Sequence, residues 1–149
     1  MFRSVQRGFT RIELVVVIVI LGILAAVALP KFMGLEDQAR IAALNGMTGS
    51  IRSAANMAHG VWLANGNTGT ITVDGASITM VNGYPNAAGI QSLTQDSTGF
   101  GITRSGTTAT FTPNDARTPA TCNVVYKEAT ATLPFTITVQ PAATLQTSC

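Results

Sequence analysis

A chain of 149 residues has room for one compact domain and one anchoring segment, and only 11% of its residues are charged. The formal net charge of +2 comes with no basic run beyond Arg7, so the electrostatic footprint that nucleic-acid binding requires is missing. A hydrophobic content of 46% overstates the core, because much of it falls in one N-terminal stretch.

That stretch is the first predicted element. Arg7-Gly8-Phe9-Thr10-Arg11-Ile12-Glu13 leads into a run from Leu14 to Leu29 without a charge. As a helix, Ile12 to Leu29 spans about 27 Å, close to the hydrocarbon thickness of a bilayer. The run is apolar all round rather than along one stripe, so it must be buried on every side, by lipid or by protein. An ordinary secretory signal, with Arg3 and Arg7 as its basic region and cleavage after Ala26 or Ala28, is the weaker reading. Glu13 sits at the mouth of the run, where a carboxylate is costly to bury and a disposable segment has no use for one. The residues before Gly8 contain no apolar segment, so cleavage there leaves the helix on the mature protein.

Pro30 removes a backbone donor and crowds the preceding turn, which predicts a kink rather than an end. Beyond it Leu44, Met47, Ile51, Ala54, Ala58 and Val61 recur at spacings of three and four, the stripe of an amphipathic helix that covers a sheet. Glu36, Asp37, Arg40, Asn45 and Arg52 fall mostly off that stripe, with Glu36-Asp37 read as charge on a solvated face. The helix is predicted from near Thr10 to about Leu63, with Gly66 ending it.

The period then becomes two. Thr70 to Val73 and Ser77 to Val81, joined through Asp74-Gly75, predict a hairpin with a positive-φ turn. Asn82-Gly83-Tyr84-Pro85 reads as a break, and the segment to Leu93 as a loop or short helix. Phe100 to Thr103 and Thr108 to Phe111 form a second pair around Ser105-Gly106, while Asn123 to Tyr126 and Phe135 to Val139 complete four to six strands. The fold class is α+β, a long kinked helix packed on a small antiparallel sheet.

The N-terminal residues resemble the class III signal of the type IV pilins and their relatives, whose usual string GFTLIEL reads GFTRIEL here. Gly8, Phe9, Thr10, Ile12, Glu13, Leu14, Gly22 and Pro30 all match family positions. The resemblance implies cleavage between Gly8 and Phe9 by a prepilin peptidase and methylation of the new amine on Phe9. It also implies the pilin fold, with Gly22 and Pro30 bending the helix. Residues 1–8 would be the leader, 9–34 the transmembrane and filament-core half-helix, and 35–149 the globular domain. Glu13 would meet the methylated Phe9 amine of a neighbouring subunit and set its register. Gly83-Tyr84-Pro85 after the first hairpin, Tyr126 four residues after Cys122, and the final cysteine look most like the pilins of the mannose-sensitive haemagglutinin type.

In an exported chain the pair Cys122 and Cys149 reads as one disulfide, with two free thiols as the alternative; the resemblance implies the bridge, bounding the C-terminal region. Arg11 departs from the family, where leucine or another apolar residue is the norm. A guanidinium can snorkel while the subunit is in the membrane, but in a filament core it would compete for Glu13 or reach a glutamate on a neighbour.

An enzyme would need a constellation of groups, and the sequence offers none. His59 is the single histidine, a surface or interface residue beside Asn56 and Trp62. One histidine and two oxidised cysteines do not make a metal site, and Gly99-Phe100-Gly101 lacks the context of a phosphate loop. No cofactor is implied. The function expected is the structural subunit of a type IV pilus used in attachment, biofilm formation or motility: a homo-oligomeric helical filament built by the pilus assembly machinery. It would wait in the inner membrane of a Gram-negative bacterium and then stand on the extracellular surface. The alternatives are a type II secretion pseudopilin, although Leu133 to Cys149 holds no Asp or Glu for a calcium site, and a membrane-tethered binding module that never polymerises.

Overall fold

The computed structural model describes residues 9–94, 96–140 and 142–149. The predicted leader with Gly8, and the side chain of Pro30, lie outside the described residues. Helix α1 (Arg11–Ala64) is 54 residues long, and the chain divides between Glu36 and Asp37 into two units.

In the first unit Arg11–Ala28 is an 18-residue segment long and apolar enough to cross a membrane, and none of it is buried within the chain. Ile12, Ile23 and Val27 are each more than 60% exposed, which no water-facing helix sustains along its whole circumference. Among the described residues nothing covers this surface.

The second unit has its own core. Leu44, Met47, Ile51, Ala54 and Ala58 of α1 are buried, with Val61 half-buried, so the predicted stripe is the packing face. Against it stand two antiparallel sheets rather than the one expected. The first is three-stranded, β1 (Thr70–Val73), β2 (Ala76–Val81) and β3 (Tyr84–Pro85), in that order. Helix α2 (Ala87–Leu93) follows, and then a four-stranded sheet of β4 (Phe100–Ser105), β5 (Thr108–Pro113), β6 (Val124–Lys127) and β7 (Thr136–Val139). A last helix, α3 (Ala142–Ser148), lies where the sequence pattern predicted nothing regular.

Two turns share one chemistry. Asp74-Gly75 joins β1 to β2, with Val73 opposite Ala76, and Asn82-Gly83 joins β2 to β3, with Val81 opposite Tyr84. All four turn residues have positive φ (49°, 80°, 51° and 84°), as a type I′ turn demands. The expected break at Asn82-Gly83-Tyr84-Pro85 is therefore a hairpin, cut short because Pro85 cannot donate to a further strand.

In the four-stranded sheet Ile102, Phe111, Val124 and Val139 lie opposite one another in one row and point inward. The adjacent row, Thr103, Thr110, Val125 and Thr138, forms the other face, which gives the alternation of a sheet covered on one side. Glycine is required at Gly89: a Cβ there would lie 2.6 Å from Ile78 Cγ2, so α2 rests directly on β2.

Candidate functional site

Thr10 stops the helix from starting earlier and Glu13 closes its first turn. The Thr10 carbonyl accepts from Leu14 N, and Glu13 N donates to Thr10 Oγ1 at 3.3 Å. In return Thr10 N and Thr10 Oγ1 both donate to Glu13 Oε2 at 2.9 Å. This is a capping box, in which the first and fourth residues satisfy each other's unpaired backbone donors. The resemblance implies a partner for Glu13 from a neighbouring subunit. Its Oε2 already has two partners within the chain. The signal was present, because a threonine three residues before a glutamate at the start of an apolar run is the sequence mark of that box.

Phe9 is 84% exposed and Arg11 is exposed beside it, so an aromatic ring, a guanidinium and a carboxylate are gathered at the head of the apolar segment. Among the described residues Arg11 makes no ion pair. A Cβ built on Gly22 would meet nothing within 4 Å, so among the described residues no neighbour requires a glycine there.

At the other end of the sequence, Cys122 and Cys149 form a disulfide, with both residues fully buried. It ties α3 to the start of β6 and to α1: Thr118 N donates to Ser148 O at 2.7 Å, and Arg40 Nη1 donates to Cys149 O at 2.8 Å. Asp37 stands between Arg117 at 3.3 Å and Arg40 at 3.6 Å, with only 17% of its side chain exposed. The expectation of a solvated charge at Asp37 is thus corrected. The loop before β6 returns to the helix and pairs with it.

Gly83-Tyr84-Pro85 and Tyr126, distant in sequence, meet in the core. The Tyr126 hydroxyl donates to Pro85 O at 2.6 Å and joins the two sheets. Burial is the main cause that pushes its phenol well above the ordinary value of 10.0, with the charges of Glu128 and Tyr84 adding to it. Glu128 Oε1 accepts from Ala87 N at 2.7 Å and so caps α2 together with Asn86, whose Oδ1 accepts from Gly89 N at 2.7 Å. His59 is half-buried, stacked on Tyr84 at 4.4 Å and on Trp62 at 5.5 Å. Its Nδ1 lies 2.7 Å from Gly83 O, which can only accept, so Nδ1 carries the proton. Among the described residues no group of three or more His, Cys, Asp or Glu could hold a metal ion.

Known proteins are similar in sequence to parts of this chain. The prokaryotic N-terminal methylation motif matches residues 3–29. The type IV narrow pilus major component PilA5 of Thermus thermophilus is 52% identical over 48 residues, which is 32% of this chain and 41% of the relative. The type II secretion system core protein G of Pseudomonas aeruginosa is 47% identical over 57 residues, 38% of this chain and 40% of the relative. The chain therefore matches less than half the length of either. The likeness to fimbrial protein EcpC of Eikenella corrodens runs further: 34% identity over 105 residues, 66% of this chain and 69% of the relative. The chain belongs to the type IV pilin family. No solved structure matches it. In this pilin the capping box lies inside the methylation motif, and the disulfide, the Asp37 pairs and the Tyr126 bond all lie outside it.

Proposed function

We propose that the chain is the structural subunit of a type IV pilus. The observation that carries this reading is the methylation motif over residues 3–29 together with an apolar helix that none of the described residues covers, in a chain whose second unit has a core of its own. Such a helix needs lipid before assembly and other copies of itself afterwards. Residues 1–8 are the leader, removed between Gly8 and Phe9 by a prepilin peptidase, and Phe9 is then methylated. Residues 9–34 form the membrane and filament-core segment, bent at Gly22 and Pro30, and 35–149 the globular domain. Glu13 aligns each arriving subunit by receiving the Phe9 amine of its neighbour, while apolar packing supplies the adhesion. The chain catalyses nothing and binds no cofactor. It moves from the inner membrane to the surface of a Gram-negative cell. Gly83-Tyr84-Pro85, Tyr126 and the cysteine pair support placing it beside the mannose-sensitive haemagglutinin type.

The second reading is a type II secretion pseudopilin, favoured by the 47% identity to a core protein G over 57 residues. Deleting the chain separates the two. Loss of sheared surface filaments seen by electron microscopy, with exoprotein secretion intact, supports the pilus. Loss of secretion with surface filaments unchanged replaces it with the pseudopilin.

A further inference from the structure

Glu13 Oε2 accepts from both the backbone N–H and the hydroxyl of Thr10. Those two bonds fill the lone-pair positions of that oxygen. Oε1 has no partner among the described residues. Two kinds of cation are present at the head of each copy: Arg11, exposed and without an ion pair among the described residues, and the α-amine that Phe9 would carry after cleavage. They make different demands on a carboxylate. A guanidinium binds best as a fork across both oxygens, whereas an ammonium is a point donor that needs only one.

We infer that Thr10 determines which of these cations Glu13 receives: by holding Oε2 it leaves one oxygen, suited to the amine of a neighbouring copy and closed to the Arg11 fork. The inference rests on the proposed role of Glu13 in aligning subunits. It also explains how a chain with an arginine inside the motif could still assemble. Arg11 and Glu13 of one copy are two residues apart and lie on different faces of the helix, so the competition that Thr10 suppresses is between copies. Without the hydroxyl, Oε2 keeps only the backbone donor, and the fork of a neighbouring Arg11 can displace the amine.

The test compares Thr10→Ser, Thr10→Val and the double change Thr10→Val with Arg11→Leu in the full-length chain. The readout is sheared filament protein, normalised to mature subunit in the membrane by intact mass. Serine keeps the donor and should stay within about twofold of the native chain. Valine should lower the yield about tenfold, the equivalent of one hydrogen bond to a charged group. Removing Arg11 in the valine background should restore the yield to that of Arg11→Leu alone. A purely structural capping role predicts a loss in the valine variant that Arg11→Leu does not relieve, and that result overturns the inference. So does native yield in the valine variant, or serine failing as valine does. Glu13→Gln at native yield would remove the assembly role of Glu13 itself, whereas a poor yield there beside a normal Thr10→Val removes only the inference about Thr10.

Discussion

Changing Tyr126 to phenylalanine should weaken the globular unit measurably while leaving its shape in place. The side chain is fully buried and its hydroxyl donates to Pro85 O at 2.6 Å, so the change removes one donor and strands a buried acceptor between the two sheets. Packing is nearly conserved, because the ring still lies 5.5 Å from Phe135. A buried acceptor left unsatisfied costs about 1 to 3 kcal/mol, and no cavity term is added. The pH dependence gives a second signature. A phenol whose folded value is raised above the ordinary 10.0 is held neutral by the fold, and the native state binds more protons than the unfolded one above that point. The stability it contributes is fully present below the unfolded value and is lost as pH rises beyond it. Denaturant unfolding of the detergent-solubilised chain, followed by near-UV circular dichroism, should therefore show a steeper fall above about pH 10 for native protein than for the phenylalanine variant. Equal midpoints at pH 7 together with equal alkaline slopes would refute the reasoning.

Replacing Cys149 with serine should lower stability by about 3 to 4 kcal/mol, since the bridge closes a long loop in the unfolded chain, and should reduce surface filaments; thiols of native protein that alkylate without reductant would remove this claim. Gly89→Ala should cost about 1 to 3 kcal/mol, because the new methyl would lie 2.6 Å from Ile78 Cγ2, and a neutral result in the same unfolding assay would show that α2 can shift without loss.

Much of the fold was legible because its signals are local. The Asp74-Gly75 hairpin follows from the positive φ that both residues tolerate, and the stripe from Leu44 to Val61 follows from the helical period. The second hairpin carried the same signal in Asn82-Gly83. It reads as a break because a strand of only Tyr84 and Pro85 has no visible alternation. Helix α3 stayed hidden for another reason: Thr144, Thr147 and Ser148 are indifferent helix formers, and the segment is held by the disulfide, buried Leu145 and the Arg40 bond to Cys149 rather than by propensity. Asp37 looked solvated because its partner Arg117 is remote in the chain. At the candidate site the cost of a carboxylate in an apolar run singles out Glu13, whereas the bonds that satisfy one of its oxygens are marked only by the threonine three residues earlier.

The central claim is that Phe9 becomes the first residue of a subunit that polymerises, and the intact mass of protein sheared from the cell surface tests it most directly. The account predicts a single species lacking residues 1–8, carrying one added methyl group and short of two hydrogens at the Cys122–Cys149 bridge. A surface species beginning at or beyond Ala26 would contradict it, because the apolar helix would then be a discarded signal rather than the core of a filament.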